Sequence, residues 1–87
     1  MENLGHSGDE KRRDAFSRQF GARLRALREE KRLSQEQVAH RAGISVYTYQ
    51  KFEKGESKPH TPMNPQLYTL LNLAAAFDIK IEELLTF

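Results

Sequence analysis

From Asp14 onward, Phe16, Phe20, Leu24 and Leu27 recur at steps of three and four, with arginines on the intervening positions. That spacing gathers side chains on one face of an α-helix, here predicted to end near Lys31 or Arg32. Leu33-Ser34-Gln35-Glu36-Gln37 starts a second helix. The Ser34 hydroxyl is placed to accept an amide of the first turn while Gln37 reaches back to the Ser34 amide, a capping box. This helix is short, because Gly43 follows Val38, Ala39 and Ala42 and can take the left-handed conformation that ends a helix. Ser45 is the next N-cap, for a third helix running to about Lys54 before Gly55. A loop with two prolines follows, and Asn64-Pro65 predicts the start of a fourth helix with Leu67, Leu70, Leu71, Ala74 and Phe77 on its inner face. Asp78 is expected to end it in the left-handed region. Ile81, Leu84 and Leu85 suggest a short fifth helix. No segment alternates with period two over a convincing length, so the expected fold is all-α: a compact five-helix domain over 14–87 behind a flexible arm over 1–13.

The 87 residues allow one domain, and its core must be economical because a chain of this size hides only about 60% of the surface it exposes when unfolded. The absence of cysteine removes disulfides, thiol chemistry and most structural zinc sites. The start carries no basic flank or apolar run of a secretory signal, and the longest apolar run, Leu73 to Phe77, is far short of the ~20 residues that cross a bilayer. His6, His40 and His60 have no metal-binding spacing, and no cofactor is implied. Neither a nucleophile–base pair, a carboxylate dyad nor a glycine-rich phosphate loop is present, so an enzyme is not expected.

Net charge is +2, but it is uneven. Residues 1–43 carry ten basic and seven acidic side chains, and residues 44–87 carry four and five. Eight of the ten are arginines, whose planar fork suits phosphate and carboxylate. The excess permits binding to nucleic acid without demonstrating it, since a solvated helix face has the same composition.

The informative stretch is Gln35 to Lys54, two short helices joined by Ala42-Gly43-Ile44-Ser45. Ala39 stands where the two must cross closely, and Val38, Ala42, Ile44, Tyr49 and Phe52 are placed to face the rest of the domain. At 100° per residue, Val46, Tyr47, Gln50, Lys51 and Lys54 fall on the other side of the third helix. Gln can pair with adenine, Lys with the acceptors of guanine, and Val with a thymine methyl. Gln35, first in its helix, lies beside backbone amides that suit a phosphate.

Leu33-Ser34-Gln35-Glu36-Gln37-Val38-Ala39, Ala42-Gly43-Ile44-Ser45, Phe52-Glu53-Lys54-Gly55 and Leu70-Leu71-Asn72-Leu73-Ala74-Ala75-Ala76-Phe77 together resemble the Cro/repressor-type helix-turn-helix family over about residues 16–86. The resemblance implies a lambda-repressor-like DNA-binding domain that regulates transcription, with the helix at about 45–54 in the major groove. It implies base contacts from Val46, Tyr47 and Lys51, with Ser45 and Gln50 nearby, and a DNA-backbone contact from Gln35. Lys54, Ser57 and Lys58 follow the third helix as phosphate contacts, with His60 a weaker candidate. Arg28 and Glu53 match the family's structural ion pair. A homodimer on a palindromic operator in double-stranded DNA is expected, with half-sites about 34 Å apart. The setting implied is the cytoplasm of a bacterium, near the nucleoid, for a bacterial or phage-encoded chain with no membrane association. Leu85 and Phe87 are candidates for the dimer interface or, equally, for packing onto the first helix.

Two departures stand out. Gly55 to Pro65 spans ten residues, longer than is common in the family. Asp78 and Lys80 replace the usual glycine and the usual Ser or Thr before the last helix. The longer loop keeps a second class of function open: an antitoxin-like or adaptor module that engages a protein partner through residues 56–64 or through the arm.

Overall fold

The computed structural model describes residues 6–58 and 61–87. Helix α1 spans His6–Glu30, α2 Gln35–Ala42, α3 Val46–Lys54, α4 Leu67–Ala76 and α5 Ile81–Leu84. A two-stranded antiparallel hairpin, β1 Glu56–Lys58 and β2 Thr61–Pro62, lies between α3 and α4.

The caps form where local chemistry put them. Ser34 Oγ accepts the Gln37 amide at 3.0 Å while Gln37 Oε1 accepts the Ser34 amide at 2.8 Å. Gly43 lies in the left-handed region at φ 72°, so the chain reverses there without Cβ strain. Ser45 Oγ accepts the Thr48 amide at 3.0 Å and starts α3. Asp78, at φ 59°, ends α4 as expected. The last helix forms without a Ser or Thr cap because Glu83 Oε1 reaches back to the Lys80 amide at 2.9 Å.

Phe20, Leu24 and Leu27 of α1, Val38, Ala39 and Ala42 of α2, Tyr49 and Phe52 of α3, Leu73, Ala74 and Ala76 of α4, Phe77 and Leu84 make one buried cluster. Helix α1 packs on α3, α2 on both α3 and α4, and α4 on α5. The reversal at Gly43 therefore leaves α3 braced on its inner side by two helices.

Five expectations are corrected. Helix α1 begins at His6, not Asp14, so most of the expected arm is helical; residues 1–5 lie outside the described residues. Once the 14–30 segment has nucleated a helix, extending it through residues without proline costs little even though they lack an apolar period. Phe16 is 51% exposed instead of buried; its ring lies 5.1 Å from that of Phe87, which also reaches Phe20 at 6.3 Å. The second role open to Phe87, packing onto the first helix, is the one it takes.

Helix α4 starts at Leu67, with Gln66 as N-cap, and not at Asn64-Pro65. The Met63 amide donates to the Gly55 carbonyl at 3.1 Å and Ser17 Oγ donates to the Met63 carbonyl at 3.0 Å. These bonds tie Met63 to Gly55 and to α1, and the chain turns into the helix only beyond it. Its inner face also differs: Leu73, Ala74, Ala76 and Phe77 are buried, while Leu67 and Leu71 are 62% and 41% exposed. Finally, the proline loop holds the β hairpin, whose strands are too short to show an alternating pattern.

Candidate nucleic-acid interface

Helix α3 presents two unlike sides. Tyr49 and Phe52 are buried, while Tyr47 is 65% exposed and Gln50 and Lys54 also face solvent. Val46 and Lys51 are half-buried, and Val46 packs against the edge of the core. The Lys51 ammonium lies 4.3 Å from the centroid of the Tyr47 ring, close enough for a cation–π contact that holds both side chains on the same patch. Ser45 stands at the head of this face, with its hydroxyl engaged as the cap and donating to Thr48 Oγ1 at 2.9 Å.

The hairpin extends the face. Tyr47, Gln50, Lys51 and Lys54 share a shallow depression of about 320 Å³ with Glu56, Ser57 and Lys58. Lys58 is exposed, whereas Ser57 Oγ donates to the Thr61 carbonyl at 3.5 Å across the hairpin. Gln35, at the first turn of α2, joins the surface through Gln50: Gln50 Nε2 donates to Gln35 Oε1 at 3.1 Å. Of the expected contact residues, Tyr47, Gln50, Lys51, Lys54, Ser57 and Lys58 thus share one strip of surface that Gln35 joins, while Ser45 and Val46 lie at the head of α3 outside the depression. His60 lies outside the described residues.

Behind the strip, the Arg28 guanidinium meets Glu53 in a bidentate pair, Nε to Oε2 at 2.6 Å and Nη2 to Oε1 at 3.1 Å. Both side chains are largely buried. Arg28 Nη1 also donates to the Leu33 carbonyl at 3.3 Å, so one side chain ties α1 to the α1–α2 turn and to α3. Glu53 further accepts from the Tyr49 hydroxyl at 2.5 Å and from Gln35 Nε2 at 3.1 Å. Burial alone pushes the Glu53 carboxyl up, but the hydrogen bonds from Arg28, Tyr49 and Gln35 outweigh it and hold its pKa below the ordinary glutamate value. The same bond to Glu53 raises Arg28. Burial, then the bond to Glu53, raises the Tyr49 phenol, which stays a donor. The expected ion pair is present, and two further ligands of Glu53 accompany it. The i,i+4 spacing of Tyr49 and Glu53 was a signal for one of them.

The arginine excess serves architecture more than this surface. Arg23 Nη2 donates to the Glu83 carbonyl at 2.7 Å, and Arg41 Nη1 to the Ala76 carbonyl at 3.3 Å. Arg18 pairs with Asp14 and Arg25 with Glu29, both at 3.3 Å. The cations on the strip are lysines 51, 54 and 58. Sequence reasoning also missed Gly21, where α1 and α3 touch backbone to backbone: a Cβ there would lie 2.6 Å from the Phe52 carbonyl oxygen. Among the described residues no helix is long and apolar enough to cross a membrane.

Residues 19–84 match the helix-turn-helix domain family. Over 67 residues the chain is 36% identical to the cryptic phage CTXphi transcriptional repressor RstR of Vibrio cholerae, a match that covers 77% of this chain and 55% of that protein. The chain therefore spans about half the length of this relative. It is also similar to the crystal structure of the restriction-modification controller protein C.AhdI from Aeromonas hydrophila, with a TM-score of 0.71 and 38% identity over 80% of this chain and 97% of that one. A turn closed by a left-handed glycine, an outward third helix and these matches agree: the chain belongs to the helix-turn-helix family, among its Cro/repressor-type members.

Proposed function

We propose that this protein is a sequence-specific DNA-binding transcriptional regulator, acting as a repressor or controller like the relatives named above, in the cytoplasm of a bacterium. One observation carries the reading: α3 is braced from behind by Tyr49, Phe52 and the Arg28–Glu53 pair while Tyr47, Gln50 and Lys54 stand open on its other side. A rigid helix with an uncovered polar face fits the major groove of B-DNA. Val46, Tyr47, Gln50 and Lys51 face base edges, with Ser45 at the helix start. Gln35, Lys54, Ser57 and Lys58 flank them and meet phosphates. Ser57 and Lys58 line the same depression as α3, which favours a DNA role for the hairpin over a separate protein-docking role.

The working form is a dimer on a palindromic operator. Leu67, Tyr68 and Leu71 are 62%, 76% and 41% exposed on the outer arc of α4, with Ala75 and Asn72 completing it. No Asp, Glu, Lys or Arg occurs between Lys58 and Asp78, so a second copy meets this arc without like-charge repulsion. Three large exposed side chains on one uncharged arc form the kind of patch that a second copy covers.

Selection from a random duplex pool at physiological salt tests the reading. An enriched inverted repeat is expected, and a pool that stays random contradicts sequence-specific binding. Tyr68→Glu is expected to shift the sedimenting species from dimer to monomer; unchanged sedimentation contradicts the α4 interface.

A further inference from the structure

The two strands of the hairpin border different hollows. Strand β1 edges the shallow depression on the open side of α3. Beyond it, Pro62 and Met63 form one wall of a larger groove of about 770 Å³, which Phe16 and Phe20 of α1 also line, together with Leu70 and Leu85. Small-molecule sites have volumes in this range. Phe16 is 51% exposed and Leu85 37%, so the groove leaves apolar surface to water. It is also polarised along α1. Arg12 and Arg13 line one end, and Phe16 and Phe20 lie one and two turns further on. Among the described residues that line the groove none is acidic. From Arg12 to Phe20 the helix rises about 12 Å, close to the extended length of roughly ten carbons.

We propose that this groove binds a medium-chain carboxylate, with its tail against Phe16, Phe20 and Met63 and its head on Arg12 and Arg13, and that the bound molecule strengthens DNA binding through the hairpin. A guanidinium carries five N–H donors, so it takes a carboxylate alongside other contacts. A second copy of this chain would bring the outer arc of α4, which offers no counter-charge to the arginines. The link to DNA rests on the reading of α3 as the base-reading helix. Ser17 Oγ donates to the Met63 carbonyl, and the Met63 amide donates to the carbonyl of Gly55, the residue that ends α3. A tail packed between Phe16 and Met63 fits the hairpin where it stands, with Ser57 and Lys58 beside α3. The ligand therefore favours that position over one in which the hairpin leaves α1.

The test uses the full chain with carbon-13-labelled methionine methyl groups and decanoate as the probe, with decyltrimethylammonium and acetate as controls. The other methionine is Met1, so Met63→Leu identifies the Met63 signal. Monomeric decanoate is expected to shift that signal saturably, at a concentration about tenfold lower than decyltrimethylammonium requires, while acetate leaves it in place. Arg12→Gln/Arg13→Gln changes two exposed positions and is expected to erase the preference with little change in melting temperature. No shift with decanoate, or equal shifts with both amphiphiles, overturns the site. A preference that survives the double variant overturns the seat of the head on the two arginines. Saturating decanoate is expected to raise the affinity of the wild type for its selected duplex about fivefold. An unchanged or lower affinity overturns the link through the hairpin while the site stands. A chain that takes decanoate but selects no duplex overturns the reading of α3, and the link with it, and leaves the carboxylate site in place.

Discussion

Gly21→Ala separates two effects of opposite sign. In an isolated helix the change stabilises by about 1 kcal/mol, because alanine is the better helix former. In this fold Gly21 lies against the last turn of α3. An added Cβ would fall 2.6 Å from the Phe52 carbonyl oxygen and 2.9 Å from the Glu53 carbonyl carbon, and the Glu53 carbonyl oxygen is closer still. All three are backbone atoms and cannot rotate aside. Restoring ordinary contact requires α1 and α3 to part by several tenths of an ångström or more. Overpacking of this kind costs about 1–3 kcal/mol. The same displacement loosens Glu53 from Arg28, which adds part of the roughly 3–5 kcal/mol carried by breaking a buried pair. Set against the gain in propensity, the net loss is on the order of 2 kcal/mol, which for a chain of this size lowers the melting temperature by about 10 °C. Circular dichroism melts of wild type and variant measure it. A melting temperature equal to or above that of the wild type would refute the close α1–α3 contact.

Glu53 sets the acid limit of stability. Its folded pKa lies below the ordinary value of 4.5, so its contribution is complete above the unfolded pKa and is lost as pH falls through the folded one. Glu53→Gln is expected to cost roughly 3 kcal/mol at neutral pH by leaving Arg28 unmatched and to flatten the acid limb of a urea-melt series; a limb as steep as the wild type's contradicts this. Lys58→Ala is expected to weaken specific and random duplexes alike and to lower the salt slope of binding by about one. An unchanged slope removes Lys58 from the phosphate contacts.

What could be read from the sequence was what local chemistry decides. Ser34 with Gln37, Gly43 and Ser45 fix caps and a turn within four residues of themselves, so the helix-turn-helix and its outward face followed from spacing alone. The Arg28–Glu53 pair came only through the family resemblance, since nothing in the sequence brings residues 25 apart together. The inner face of α4 was misread because leucine and alanine fill most of its positions, and a helix apolar nearly all round carries no phase. Phe16 was misread for the opposite reason: its spacing is right, but α1 outruns the core, and Phe87 meets it at the edge. Gly21 and the Glu53–Gln35–Gln50 chain depend on where α3 lands against α1 and α2, which no local pattern encodes. Nor did composition locate the site, for the arginines that make the first half basic are largely spent on carbonyls and neighbouring carboxylates.

The proposed function stands on the open side of α3 discriminating among base sequences. The ratio of affinities for the selected duplex and for a random duplex, measured for the wild type and for the double variant Tyr47→Ala/Lys51→Ala at one fixed salt concentration, tests it most directly. This ratio is expected to fall toward one while the melting temperature changes little. A ratio that survives the double substitution would contradict it.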